Sequence, residues 1–148
     1  MKGLVARHSV LIRAAPDRVW KALTDPDLIR QYLFGTEAIS DWVAGSPLRY
    51  RGVWEGKSYE DKGEVLRAEP GRLLVTTYWS SMSGLPDAPG NYKTVTYELA
   101  PERGGTRLTL TQDNNATEEE KNHAEQNWSQ VLGGLKKMVE KMEMEKGD

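Results

Sequence analysis

From Leu4 to Ala14 the chain alternates in polarity. Ala6, His8, Val10, Ile12 and Ala14 fall on one face; Val5, Arg7, Ser9, Leu11 and Arg13 fall on the other. A period of two with β-branched residues predicts a strand. Ala15-Pro16-Asp17 changes the signal, because Pro suits the first helical position and Asp the first turn. Val19, Trp20 and Leu23 then recur at helical spacing. Asp25-Pro26 stops that helix and opens a second, with Leu28, Ile29, Tyr32 and Leu33 as its apolar stripe.

After Gly35 the helical period disappears until Thr111. Short strand patterns separated by turn residues take its place. They run over Ala38–Trp42, Pro47–Trp54, Tyr59–Ala68, Leu73–Trp79, Tyr92–Leu99 and Thr106–Gln112. Turns are expected at Gly56-Lys57-Ser58, Glu69-Pro70-Gly71-Arg72 and Pro101 to Gly105, and a long loop over Ser80–Gly90. Consecutive strands with short turns imply an antiparallel meander. A long helix closes the chain. Thr117 is its expected N-cap, Glu118, Glu119 and Glu120 sit in its first turn, and Lys136, Lys137 and Lys141 come late. Trp128, Val131, Leu132, Leu135, Met138, Val139 and Met142 make one apolar stripe. Gly133-Gly134 interrupts it, which suggests a kink or a close backbone approach. Glu143–Asp148 is expected to fray.

An antiparallel sheet with one apolar face needs a cover, and only the last helix is long enough to supply it. A curved sheet around one helix leaves room for a cavity, a default place for a ligand. Composition adds one point. The 148 residues include five Trp and six Tyr but one Phe, so eleven of twelve aromatic side chains carry an N–H or O–H. Such groups need partners when buried, and they suit a cavity that is apolar in body and polar at points.

Charge and cysteine content narrow the classes. The net charge is −2, without the basic stripe of a nucleic-acid binder. No cysteine is present, which removes disulfides, thiolate catalysis and cysteine-bound metals. His8 and His123 lie far apart, and no carboxylate spacing suggests a metal centre, so neither a metal nor a cofactor is expected. No apolar run approaches the ~18–20 residues of a membrane span. With no apolar stretch after Met1, the cytoplasm is the expected location.

The run Ala15-Pro16-Asp17-Arg18-Val19-Trp20-Lys21-Ala22-Leu23-Thr24-Asp25-Pro26 resembles the opening motif of the START-like SRPBCC superfamily. Within it the chain is most similar to the activator of heat-shock-protein-90 ATPase homologue-like family. Gly63 to Pro70, Leu73 to Trp79, Val95 to Leu99, Gly105 to Thr111 and Asn127 to Lys136 resemble that family's later elements in the same order. The resemblance implies an α+β helix-grip fold. A seven-stranded curved antiparallel sheet would wrap a long C-terminal helix, with two short helices after strand 1, as one domain over residues 1–148. Relatives of this fold hold hydrophobic ligands. Two departures bear on a ligand: Tyr32 stands where Trp is frequent, and Asn127 where Gly is common.

The expected ligand site is a set of cavity candidates: Tyr32, Trp54, Tyr78, Gln112, Trp128, Leu132 and Leu135. Tyr78 and Trp79 must lie on opposite faces of their strand, and the pattern leaves open which is inside. Trp20 reads as core packing. Trp128 reads as either core or cavity wall. His8 points inward if Val10 and Ile12 do, and His123 is expected in solvent. No catalytic residue is singled out. Three functions follow in order: binding of an apolar or aromatic small molecule, docking to a chaperone or a second copy, and cyclase- or hydratase-like chemistry. Gly84-Leu85-Pro86 is a candidate contact for the second.

Overall fold

The computed structural model describes residues 3–81 and 83–146, apart from the side chains of Trp54 and Lys146. Strand β1 (Leu4–Ile12) leads into helices α1 (Pro16–Thr24) and α2 (Pro26–Tyr32). Strands β2 (Glu37–Ser40), β3 (Pro47–Trp54), β4 (Lys57–Glu69), β5 (Leu73–Ser80), β6 (Lys93–Glu102) and β7 (Gly105–Asn115) follow, and helix α3 (Glu118–Lys146) ends the chain. All pairings are antiparallel, in the order β1-β7-β6-β5-β4-β3-β2. This is the seven-stranded helix-grip arrangement expected from the sequence.

Local chemistry accounts for the elements. Pro16 and Pro26 occupy first helical turns, and the Asp25 carboxylate accepts from the Asp27 N–H at 2.9 Å to cap α2. Thr117 caps α3 through the Glu120 N–H at 3.1 Å. The β3–β4 turn falls at Glu55-Gly56, one residue earlier than the sequence suggested. Both residues have positive φ, as a two-residue hairpin turn of the primed type demands. Strands β6 and β7 extend further into their hairpin than expected, to Glu102 and from Gly105. The strand expected over Ala38–Trp42 ends at Ser40, since Trp42 takes a φ of 58°. Helix α3 continues to Lys146 rather than fraying at Glu143.

Gly133 and Gly134 do not break α3. A Cβ at Gly134 would meet the Tyr32 Cβ at 3.7 Å, ordinary contact, and one at Gly133 would meet nothing. Gly63 is different. A Cβ there would lie 1.8 Å from the Thr77 carbonyl oxygen, so only glycine lets β4 and β5 approach at this point, just before the β4 bulge at Val65/Arg67.

The two outer strands are treated unequally. Along β1 and just past it, α3 side chains satisfy three free backbone groups. Arg7 N–H donates to Glu125 at 3.0 Å, Arg13 N–H donates to Glu140 at 2.9 Å, and Lys136 donates to the Leu11 carbonyl at 2.9 Å. That blocks strand addition. The core lies between α3, α1 and the inner face of β1, β7 and β6. Ile12, Leu108, Leu110 and Leu135 are all 0% exposed there.

Candidate functional site

Alternation places Leu48 and Tyr50 of β3, Asp61 of β4, Thr76, Tyr78 and Ser80 of β5, and Val95, Tyr97 and Leu99 of β6 on the inner face. The register agrees, pairing Tyr50 with Asp61, Asp61 with Ser80 and Val95 with Thr76. Tyr78 is therefore inside. Trp79 is outside, stacked on Tyr92 at 6.5 Å with the Lys62 ammonium 5.8 Å from its ring centre.

Helix α3 packs along β1 and onto β7, α2 packs on β2, and aromatic side chains of α2, β3, β6 and α3 fill the space between. Here Tyr32, Tyr50, Tyr97, Trp128, Leu132 and Leu135 surround a void, with Leu23, Ile29, Leu33 and Val131 completing the wall. Its volume is about 20 Å³. That is room for one water; organic ligands occupy pockets of roughly 300–1,000 Å³. The ligand-sized cavity expected from the sequence is closed in this structure, because aromatic rings fill the space that sheet curvature leaves.

Three contacts hold the closed form. The Tyr32 hydroxyl donates to the Ala22 carbonyl at 2.8 Å and ties α2 to α1. Trp128 meets Tyr97 edge to face, with ring centres 6.3 Å apart and planes at 89°. Its indole N–H donates to the Gln112 side-chain oxygen at 2.8 Å. The Tyr50 and Tyr97 hydroxyls have no hydrogen-bond partner among the described residues. Burial pushes the Tyr32, Tyr50 and Tyr97 phenols well above their usual range, and neighbouring phenols add to this for Tyr32 and Tyr50. They stay neutral and offer O–H donors as well as acceptors.

Beside this void, Asp61 accepts from the Tyr78 hydroxyl at 2.8 Å through Oδ2. Desolvation raises the Asp61 pKa, partly opposed by hydrogen bonds from Ser80, Tyr78 and the Ser81 backbone. Asp61 Oδ1 is buried without a partner, and so is the Trp42 indole nitrogen.

The structure thus brings Tyr32, Trp128, Leu132 and Leu135 together. Gln112 is buried and holds Trp128 instead of facing the void. Tyr78 lies in the neighbouring Asp61 bay, and the Trp54 side chain is outside the described residues. Tyr50 and Tyr97 were missed. Their signal was present in the alternation Leu48/Tyr50 and Val95/Tyr97/Leu99. His8 lies on the inner face but lines an open polar groove with Asn122, Glu125, Gln126, Ser129 and Gln130. His123 is exposed. Among the described residues, no helix is long and apolar enough to cross a membrane, and no group of three His, Asp or Glu is placed to hold a metal ion.

Residues 13–140 match the model of the family described as Activator of Hsp90 ATPase homolog 1-like protein. A protein from Cytophaga hutchinsonii, known from a solution structure, is 43% identical with a TM-score of 0.83, over 96% of this chain and 98% of that one. The Aha1 dimer from Colwellia psychrerythraea is 19% identical with a TM-score of 0.73, over 93% and 96%. A protein from Mesorhizobium loti is 22% identical with a TM-score of 0.76, over 93% and 98%. The last two are similar in fold. No curated protein matches the chain.

Proposed function

The chain belongs to the Activator of Hsp90 ATPase homolog 1-like family, and from that premise we propose that it binds a small apolar or aromatic molecule between α3 and the sheet, as one START-like domain. Folds of this family commonly bind small hydrophobic ligands. One observation carries the reading for this chain. Tyr50 and Tyr97 line a void walled by Trp128, Leu132 and Leu135, and neither phenol has a hydrogen-bond partner among the described residues. Unpartnered hydroxyls in an apolar wall favour a ligand that brings its own hydrogen-bonding group.

Because the void is small, binding requires Trp128 and Tyr97 to move apart. That costs the Gln112 hydrogen bond and one edge-to-face contact, each worth about 1 kcal/mol. A ligand that buries its aromatic body there regains more than this. The test is native mass spectrometry on protein purified without denaturation, with thermal shift measured against a panel of aromatic alcohols. A small organic adduct, or a raised Tm, is the expected result. A bare mass together with no shift across the panel contradicts the reading.

A second reading, docking to another protein or a second copy, is favoured by the β2 side. The β2 strand is the outer strand opposite β1, and Phe34, Ile39 and Val43 beside it are 70%, 41% and 58% exposed. The Gly84-Leu85-Pro86 segment supports it less. Leu85 is exposed, but its carbonyl accepts from the Trp79 indole at 3.2 Å. Sedimentation velocity on the purified chain, with and without a chaperone, tests this reading. A single monomeric species under both conditions removes it.

A further inference from the structure

Asp61 is the inner-face group that the closed void does not use. It pairs in register with Tyr50, which lines the void, and with Ser80 on its other side. One carboxylate oxygen accepts the Tyr78 hydroxyl; the other is buried and has no hydrogen-bond partner among the described residues. Such an oxygen, when the group is ionised, is costly to leave unpaired.

No described lysine or arginine pairs with Asp61. The nearest candidates are engaged elsewhere. Lys62 lies on the opposite face and pairs with Asp87. Lys93, opposite Tyr78, donates to the Asn114 carbonyl at 2.9 Å and to Glu120 at 2.7 Å. The carboxylate is flanked by aromatic rings, Tyr50 across the pair and Tyr78 at hydrogen-bond distance. A carboxylate that has hydroxyl and backbone donors but no cationic partner, with aromatic neighbours, suits an organic ammonium, which gains a charge-assisted hydrogen bond and cation–π attraction together. The same carboxylate repels an organic acid.

We propose that the molecule bound between α3 and the sheet is an organic amine, with its aromatic or apolar body in the Tyr32–Trp128 void and its ammonium on Asp61 Oδ1. This rests on the ligand-binding reading above and adds the charge of the bound class. Tyr50 stands at the boundary between the two parts and must turn to join them.

The experiment is isothermal titration calorimetry of the full chain near neutral pH with three probes that share one ring: phenethylamine, 2-phenylethanol and phenylacetate. Phenethylamine is expected to bind about tenfold more tightly than 2-phenylethanol, and phenylacetate most weakly. In Asp61→Asn the preference for the amine over the alcohol should fall below about threefold. The wild-type ranking decides the matter even if that variant fails to fold. Equal binding of amine and alcohol, or tighter binding of phenylacetate, overturns the amine assignment and leaves small-molecule binding standing. No binding of any probe overturns both.

Discussion

The inner face of this sheet has two unlike ends. Where β1 and β7 meet α3 and α1, the side chains are aliphatic and enclosed: Ile12, Leu108 and Leu110 expose nothing. Across β3, β4 and β5 the same face carries Tyr50, Asp61, Tyr78 and Ser80, all partly exposed, beside the buried Leu48, Val65 and Leu74. The first end interlocks branched side chains at close packing, which specifies one structure. The second holds hydroxyls, an indole and a carboxylate around a small void. One helix and one sheet therefore build a close-packed aliphatic framework at one end and a more polar, aromatic-walled region at the other.

Substitutions separate the two ends by size of effect. Leu110→Ala, in the aliphatic end, should cost about 2–5 kcal/mol in denaturant unfolding. A loss near 1 kcal/mol would mean that this end is not the framework. Gln112→Leu sits at the junction. It strips the Trp128 indole N–H of its acceptor and should cost about 1–3 kcal/mol, with a shift in tryptophan emission. In the site end, two similar changes should diverge. Tyr32→Phe loses the bond to Ala22 and should cost about 1 kcal/mol. Tyr97→Phe loses no protein partner and should change stability by less than about 0.5 kcal/mol. Equal losses for the two would erase the distinction.

Asp61 gives a test in pH. Its pKa is raised in the folded state, mainly by desolvation, so the folded chain holds that proton more tightly than the unfolded chain. The stabilisation is full below the unfolded value and fades as pH rises through the folded one. Tyr50 and Tyr78 face Asp61 and stay neutral across this window, since burial raises both phenols. Asp61→Asn should therefore gain stability relative to wild type as pH rises from about 4 to about 7. A difference that stays constant with pH would show that the carboxylate is not strained by burial.

Much of the framework end could be read from the sequence, because alternation and helical spacing are local. Leu108 and Leu110 against Arg107 and Thr109, and Val139 along α3, need no tertiary information. The site end was read in part. Tyr32, Trp128, Leu132 and Leu135 fell on apolar stripes and do converge. Tyr78 and Trp79 could not be assigned a face, because both faces of β5 carry strand formers and the register with β4 and β6 decides. Gln112 alternates with Leu110 toward the inside, but whether it meets a ligand or an indole depends on how α3 crosses β7. The closure of the void depends on how α2 tilts against α3, which no local pattern encodes.

On the proposed function, the tyrosine end, and not the aliphatic end, opens to a small molecule. The most direct measurement is an NMR titration of the labelled chain with 2-phenylethanol, following methyl groups and tryptophan indole N–H signals. The account predicts that the Trp128 indole signal moves as its bond to Gln112 yields, together with Val131, Leu132 and Leu135 methyls, while Leu108 stays fixed. Spectra unchanged at saturating probe, or shifts gathered around Trp79 and Tyr92 on the outer face, would contradict it.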